Sequence, residues 1–249
     1  MLKPAIAKDY NFVPMLFSTE MVRAIISDNK TVTRRAVKKS NSDCTSSFAE
    51  LDFNDAVRDN IFNDKDQYLK VLRPIDDTRH RVFCKYYIGD IIWVRETFYS
   101  YGHWTTITEN GKSKRNFQDL TRDSNYLYQY FTDWAPQKEF KNGQLGWFKR
   151  PALFMPKEAC RLFLQITSVR IERLQEITNE QALKEGIKVL EKDEAYFDYL
   201  EECGSYATPR GSFTSLWCKI NGQASWDANP YVWVIGFKRI NRPEGFNFK

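Results

Sequence analysis

The sequence predicts an α+β fold, a compact mixed β-barrel with short helices and large inserted excursions. Short apolar strand patterns alternate along the chain with two or three short helix patterns, an order typical of such barrels. The chain has 249 residues, of which 42% are hydrophobic, so it is long enough to bury a core. We expect one domain over residues 1–249, with insertions at about 38–85 and 100–150.

The first predicted element is a short helix in the stretch STEMVRAIISDNK. Ser18 and Thr19 are candidate N-caps, and the apolar residues that follow them recur at helical spacing. Asp28 and Asn29 tolerate the left-handed conformation in which many helices end. The helix is therefore expected to stop there, directly before a cluster of cations and hydroxyls.

That cluster, KTVTRR, predicts a strand, in which alternate side chains point to opposite faces. Thr31, Thr33 and Arg35 then share one face. Arg34 points to the opposite face and is expected to be solvated charge. Lys30 lies in the turn before the strand and can reach the face of Thr33.

The two stretches interpreted as insertions are polar and poorly patterned, apart from SNYLYQYF in the second, which predicts a strand over residues 126–130. Between the insertions, a turn at Gly89 and Asp90 leads into the apolar run IIWV, which is typical of a buried strand. The order of elements therefore resumes the core pattern after each insertion.

The C-terminal part predicts a long strand, two helices and a final strand. Apolar residues at 162, 164, 166 and 169 can face a core. Thr178 and Gln181 have the spacing of a capping box, and Gly186 is the expected end of that helix. A second helix, SFTSLWCKI, ends at Asn221 and Gly222, and PYVWVIGFKRI is the final strand.

Composition argues against several kinds of site. The five cysteines are odd in number and form no C-x-x-C pair, and His80 and His103 are the only histidines, so neither a disulfide framework nor a metal site or metal cofactor is expected. No stretch approaches eighteen apolar residues, which predicts a cytoplasmic protein without membrane contact. The net charge of +5 permits a polyanionic partner.

In order, the blocks NKTVTRR, GDIIWV, ITNEQALKEG and YVWVIGFKRI resemble the ASCH domain, a PUA-like β-barrel family. The likeness is strongest over residues 17–36, 88–98, 160–188 and 229–240. The stretches LFSTEMVRAI, GDIIWVRETF and WDANPYVWVI are similar to a longer ASCH-like group carried by phages and prophages. One departure is Gly236, where the family frequently has an acidic residue.

Some small ASCH proteins are amidohydrolases that deacylate N4-acetylcytidine with a lysine, a threonine and a glutamate. The resemblance places these roles on Lys30, Thr33 and Glu185. Thr33 would attack or hold the attacking water, neutral Lys30 would be the base, and Glu185 would be the acid. Burial and the nearby Arg34 and Arg35 are expected to lower the pKa of Lys30. The helix end is expected to help Glu185 keep its proton.

A wider set of residues is expected to bind the substrate: Thr31, Arg34, Arg35, Trp93, Arg95 and Trp226. The arginines would pair with phosphate, and Trp93 or Trp226 would stack on a base. The apolar patterns around Trp93, Trp217 and Trp233 also fit plain core positions. Trp226 is expected in a loop, as a pocket wall.

Three functions stay open from the sequence. The first is deacylation of an N4-acylated cytidine nucleoside. The second is a non-catalytic reader of RNA, DNA or modified bases, in which Arg34 and Arg35 hold phosphates. The third is a phage-encoded protein that contacts a host protein in the host cytoplasm through residues 100–150.

Overall fold

The computed structural model describes residues 10–38, 68–73, 78–109, 111–136, 140–141, 143–190 and 195–246; of residues 68–73 and 78–81 it describes the backbone only. The chain is α+β, rich in strands and with few helices, as the sequence predicts. The described strands lie in four sheets, and none of these sheets closes into a barrel. The mixed barrel expected from the sequence is therefore not formed within these residues, because the end strands of the largest sheet do not pair with each other.

The described strands are β1 (Phe12–Leu16), β2 (Val32–Ala36), β3 (Tyr68–Arg73), β4 (Thr78–Phe83), β5 (Ile91–Arg95), β6 (Phe98–Glu109), β7 (Lys112–Asp119), β8 (Gln129–Tyr130), β9 (Gly146–Arg150), β10 (Phe163–Arg173), β11 (Val189–Leu190), β12 (Ala195–Phe197), β13 (Ser205–Tyr206) and β14 (Tyr231–Ile240). The α-helices are α1 (Thr19–Ile26), α2 (Asn179–Lys184), α3 (Pro209–Asn221) and α4 (Gln223–Asp227). Single 3-10 turns occupy Ala152–Phe154, Lys157–Ala159 and Leu174–Glu176.

The largest sheet has the order β1-β5-β10-β14-β2. In it, β14 runs antiparallel to β2, with Val234 opposite Arg34 and Ile235 opposite Thr33. All seven residues from Tyr231 to Phe237 are buried, which agrees with the continuous apolar run that predicts this strand. The strand that carries the cations is thus paired along its length with a fully buried neighbour.

Residue contacts divide the chain into two compact units. The first unit comprises Met1–Asn11, Ser27–Ile91 and Gln165–Arg239. The second unit comprises Phe12–Ile26, Ile92–Leu164 and Ile240–Lys249.

The predicted helix ends are confirmed. Thr178 and Gln181 form a capping box at the start of α2, and Gly186 follows the helix with φ +84°. Helix α3 ends at Asn221, with Gly222 as its C-cap. After α1, Asp28 has the left-handed φ of 58° that the sequence predicts for the stop.

In the second unit, β6 pairs with β7, β8 and β9 in an antiparallel sheet. The strand predicted over residues 126–130 is wrong in extent, because only Gln129 and Tyr130 pair with β6. Asn125 has φ 56° at the end of a turn, and Tyr126 packs its ring 4.7 Å from that of Tyr101 instead of joining the sheet.

Of the first predicted insertion, residues 39–67 and 74–77 lie outside the described residues. The described part contains the hairpin of β3 and β4. The helices within the described ranges include none that is long and apolar enough to cross a membrane.

Candidate functional site

A buried lysine–glutamate pair lies in the first unit. Lys30 lies two positions before β2, Glu185 immediately follows α2, and the two residues form an antiparallel β-bridge. The Lys30 Nζ donates to Glu185 Oε2 at 2.7 Å and to the Glu185 carbonyl oxygen at 2.7 Å. The two side chains are 0% and 3% exposed. Two residues that the resemblance assigns to catalysis therefore meet in a dry environment.

Arg34 is a second cation at the same carboxylate. Its Nη1 donates to Glu185 Oε1 at 3.0 Å, and its Nη2 donates to Glu172 at 3.1 Å and to Gln181 Oε1 at 2.8 Å. The guanidinium also lies 5.9 Å from the ring centroid of Phe213. The expectation of solvated charge is wrong, because α2, α3 and β10 supply partners that cover this side of the arginine.

Both oxygens of Glu185 thus accept hydrogen bonds from cationic groups. The carboxyl group is an acceptor at each oxygen, and a proton for a leaving group has to reach it from one of these donors. Lys30 is the suitable donor, because an arginine keeps its proton in proteins.

Burial lowers the pKa of Lys30 below its ordinary value, and the nearby Arg35 and Arg34 lower it further, while the contact with Glu185 raises it. Loss of water around the ammonium group is the largest of these effects. The pKa direction predicted from the sequence is therefore confirmed, and burial is its main cause.

Thr33 and Arg35 lie on the same strand but interact differently. The Thr33 side chain is buried, and among the described residues its hydroxyl makes no hydrogen bond to Lys30 or Glu185. Arg35 is half-buried, and burial lowers its pKa, while Tyr86 and Glu185 oppose this shift. The structure brings Lys30 and Glu185 together but does not bond Thr33 to them.

Thr31 serves the backbone of the site. Its N–H donates to the Lys184 carbonyl at 2.9 Å, and its carbonyl accepts from the Phe237 N–H at 2.9 Å. The Thr31 residue as a whole is exposed. Its position therefore fixes the strand against the end of α2.

Trp226 is not in a loop, as expected, but in the short helix α4. Its ring is 6.4 Å from that of Phe213, and the Arg210 guanidinium lies 5.9 Å from its ring centroid. Phe213 contacts both Trp226 and Arg34. Trp226 thus reaches the charged group through one intervening ring.

Trp93 and Arg95 belong to the second unit. Trp93 is buried, and the Arg95 guanidinium lies 5.4 Å from its ring centroid and donates to the Leu153 carbonyl. Trp217 and Trp233 are buried as well, as the apolar patterns around them predict. A core position for Trp93 is confirmed by its burial.

No sequence pattern indicates that Glu172 belongs to this group, and the pattern at Gln181 predicts only a helix cap. The Gln181 Oε1 accepts from the Thr178 N–H at 3.2 Å as well as from Arg34. Glu172 in turn pairs with Arg170. The spacing of Glu172 from Arg170 along β10 is the only available signal, and it is too common to single out a site.

Gly236, the position at which the sequence departs from the family it resembles, lies against Ser168. A Cβ atom at position 236 would be 2.3 Å from the Ser168 Oγ. An acidic side chain is therefore excluded at this position unless Ser168 moves.

The chain matches no protein-family model, no curated protein and no solved structure. No group of three or more His, Cys, Asp or Glu side chains within the described ranges could hold a metal ion.

Proposed function

We propose that the chain is an ASCH-type, PUA-like protein that binds a nucleoside or a nucleic-acid strand beside Lys30 and deacylates N4-acylated cytidine there. The observation that supports this proposal is the 2.7 Å hydrogen bond between the Lys30 Nζ and Glu185 Oε2, buried on both sides. The motif around Lys30, Thr33 and Arg35 supplies the resemblance to the family.

The pair offers both protonation states that amide hydrolysis needs. Burial disfavours the charged lysine, and a dry ion pair can relax by moving one proton from Nζ to the carboxylate. This transfer produces a neutral amine at Lys30 and a carboxylic acid at Glu185. The amine is a base and the acid is a proton donor, in the same hydrogen-bonded pair.

The reaction then balances as follows. A water molecule held by the Thr33 hydroxyl attacks the acyl carbon and gives one proton to the Lys30 amine. The bond between the acyl carbon and N4 breaks, and Glu185 gives its proton to N4. Cytidine and the free carboxylic acid leave, and the ion pair seen in the structure is restored.

The direct test is conversion of N4-acetylcytidine to cytidine by the purified chain, followed by chromatography. Lys30→Ala and Glu185→Gln should each abolish turnover, whereas Lys184→Ala, which changes the exposed neighbour of Glu185, should leave it unchanged. Absence of turnover by the intact protein across a panel of acylated nucleosides would reject the proposal.

A second candidate function is a non-catalytic reader of RNA or DNA. The observation that favours it is an excess of positive charge, because Lys30, Arg34 and Arg35 all interact with the single carboxylate of Glu185. In that function, binding weakens as salt rises, and Arg35→Ala reduces affinity more than Glu185→Ala. An affinity that does not change with salt would count against it.

A further inference from the structure

A cavity of about 380 Å³ lies wholly within the second unit, against its antiparallel sheet. Four aromatic rings line it, together with charged side chains. Its volume falls in the range of about 300–1,000 Å³ that is usual for small-molecule sites. The rings belong to Phe98, Phe117, Tyr128 and Phe154.

One face of the sheet places cations and rings together. In the strand register, Phe98 is opposite Arg150 on β9, and Trp104 is opposite Phe117 on β7. Trp104 follows Phe98 by an even number of positions on β6, so all four side chains share one face. Gly102 lies between them, and a Cβ atom there would be 2.9 Å from the Phe117 ring.

Arg150 is the cation at the centre of this face. Its guanidinium carbon lies 4.2 Å from the ring centroid of Phe117, 4.8 Å from that of Trp104 and 5.4 Å from that of Phe154. Within the described residues the Arg150 side chain forms no hydrogen bond and no ion pair, whereas its backbone pairs with Phe98 in the sheet. Burial lowers the pKa of Arg150, and the charge of Asp119 only partly offsets this shift. The donors of Arg150 are therefore held in place by rings and have capacity for an anion.

The cavity also contains acceptors. Asp119 Oδ1 accepts from the Thr121 hydroxyl at 2.6 Å and from the Thr121 N–H at 3.0 Å, whereas Oδ2 accepts, among the described residues, only from the Tyr128 hydroxyl at 3.3 Å, which leaves a lone pair on Oδ2 for another donor. Asp123 and Arg122 line the cavity as well. Two aspartates and two arginines give the lining no net charge, which favours a ligand with one anionic group and N–H donors over a polyanion held by charge alone.

We propose that this cavity binds one unstacked nucleotide whose base carries an exocyclic amino group. The base packs against the rings of Phe117, Tyr128 and Phe154, where stacking tolerates any flat ring. The phosphate accepts from Arg150, and the amino group donates to Asp119. A free mononucleotide and a nucleotide within a single strand share this chemistry. The site is separate from the proposed deacylation, since Lys30 and Glu185 lie in the first unit.

The test is calorimetric titration of the protein that carries Lys30→Met and Glu185→Gln together, in which the proposed catalytic pair is absent and neither partner is left as an unpaired buried charge. The probes are cytidine 5′-monophosphate, cytidine, uridine 5′-monophosphate and a short single-stranded oligocytidylate. Cytidine 5′-monophosphate should bind at least about tenfold more tightly than cytidine or uridine 5′-monophosphate, because each of these lacks one charge-assisted contact. Competition between the mononucleotide and the oligonucleotide then distinguishes the two sources of the ligand.

Arg150→Gln should weaken binding of the monophosphate about tenfold or more and make it equal to that of cytidine. Lys114→Gln is the matched control, because it removes a cation from the same sheet at a position opposite Ile107, on the other face. Phe154→Ala, at a ring that is 58% exposed, tests the stacking without removing core and should weaken all four probes.

Equal affinity for the monophosphate and cytidine, or no effect of both Arg150→Gln and Phe154→Ala, would overturn the proposal. Absence of binding by the monophosphate and by the oligonucleotide would do the same. Each of these results leaves the deacylation proposal intact, because turnover of N4-acetylcytidine is measured separately on the protein that keeps Lys30 and Glu185.

Discussion

Glutamine at position 185 would leave two buried cations facing an amide. Glu185→Gln keeps the shape of the side chain and removes its charge, so the Lys30 Nζ loses its counter-ion in a place where it is 0% exposed. Arg34 keeps Glu172 and Gln181 as partners. The loss of the negative charge therefore destabilises mainly the buried Lys30 ammonium group.

The magnitude follows from burial. Removing one partner of a buried ion pair costs about 3–5 kcal/mol of folding free energy. An upper bound comes from the lysine itself, which can escape the penalty by losing its proton. From the ordinary pKa of 10.5, neutralising Lys30 at pH 7 costs about 5 kcal/mol. We expect Glu185→Gln to destabilise the protein by about 3–5 kcal/mol.

Urea unfolding of three variants measures this effect. Lys30→Met combined with Glu185→Gln removes the unpaired charge and should recover most of the stability lost in Glu185→Gln alone. Lys184→Met, at the exposed neighbouring lysine, should stay within about 0.5 kcal/mol of the wild type. Stability of the double variant near that of the wild type would show that charge, and not shape, causes the loss.

The pH dependence has a defined sign. In Glu185→Gln, the folded pKa of Lys30 lies further below its unfolded value, so between the two values the unfolded chain binds more protons. The free energy of unfolding of the Glu185→Gln variant must then rise with pH and level off near pH 10.5, the ordinary pKa of a lysine. A deficit below about 1 kcal/mol at pH 7, or one that does not shrink between pH 7 and 9.5, would refute the reasoning.

Three further experiments test the fold. Gly236→Ala should lower the stability measured by thermal unfolding by about 1–3 kcal/mol, because the new Cβ meets the Ser168 Oγ at 2.3 Å. Adding Ser168→Ala to the same chain should restore part of the lost stability, and no recovery would contradict the clash. Thr178→Ala should cost about 1 kcal/mol by removing the acceptor of the capping box, and an unchanged midpoint would argue against that role. Burial raises the pKa of the Cys84 thiol to about 12. At pH 8, iodoacetamide should therefore modify the exposed Cys203 far faster than the buried Cys84. Equal rates of modification in a timed mass-spectrometric assay would show that Cys84 is accessible.

Local signals predicted the helix ends and the final strand well. The capping box at Thr178 depends on two residues three positions apart, and Asp28 and Gly186 are of the few residue types that adopt a left-handed backbone. A short stretch of sequence is therefore enough to predict these helix ends. The same reasoning failed for Trp226, because α4 has five residues, too few to show a helical period.

The burial of Arg34 could not be predicted in this way. Alternation states which face of a strand a side chain occupies, but it does not state what covers that face. The hydrogen-bond partners of Arg34 lie 138–151 positions later in the chain, on β10, in α2 and directly after α2. A sequence pattern around Arg34 carries no information on such distant residues, whereas the resemblance to a family did pair Lys30 with Glu185.

The separation of Lys30 and Glu185 along the chain also has a kinetic consequence. The two residues are 155 positions apart, so their bond closes a long loop and can form only when most of the first unit is assembled. Until then each group stays hydrated on its own segment. The pair is therefore expected to affect the rate of unfolding far more than the rate of folding, and a fragment that ends before α2 would leave Lys30 without its carboxylate partner.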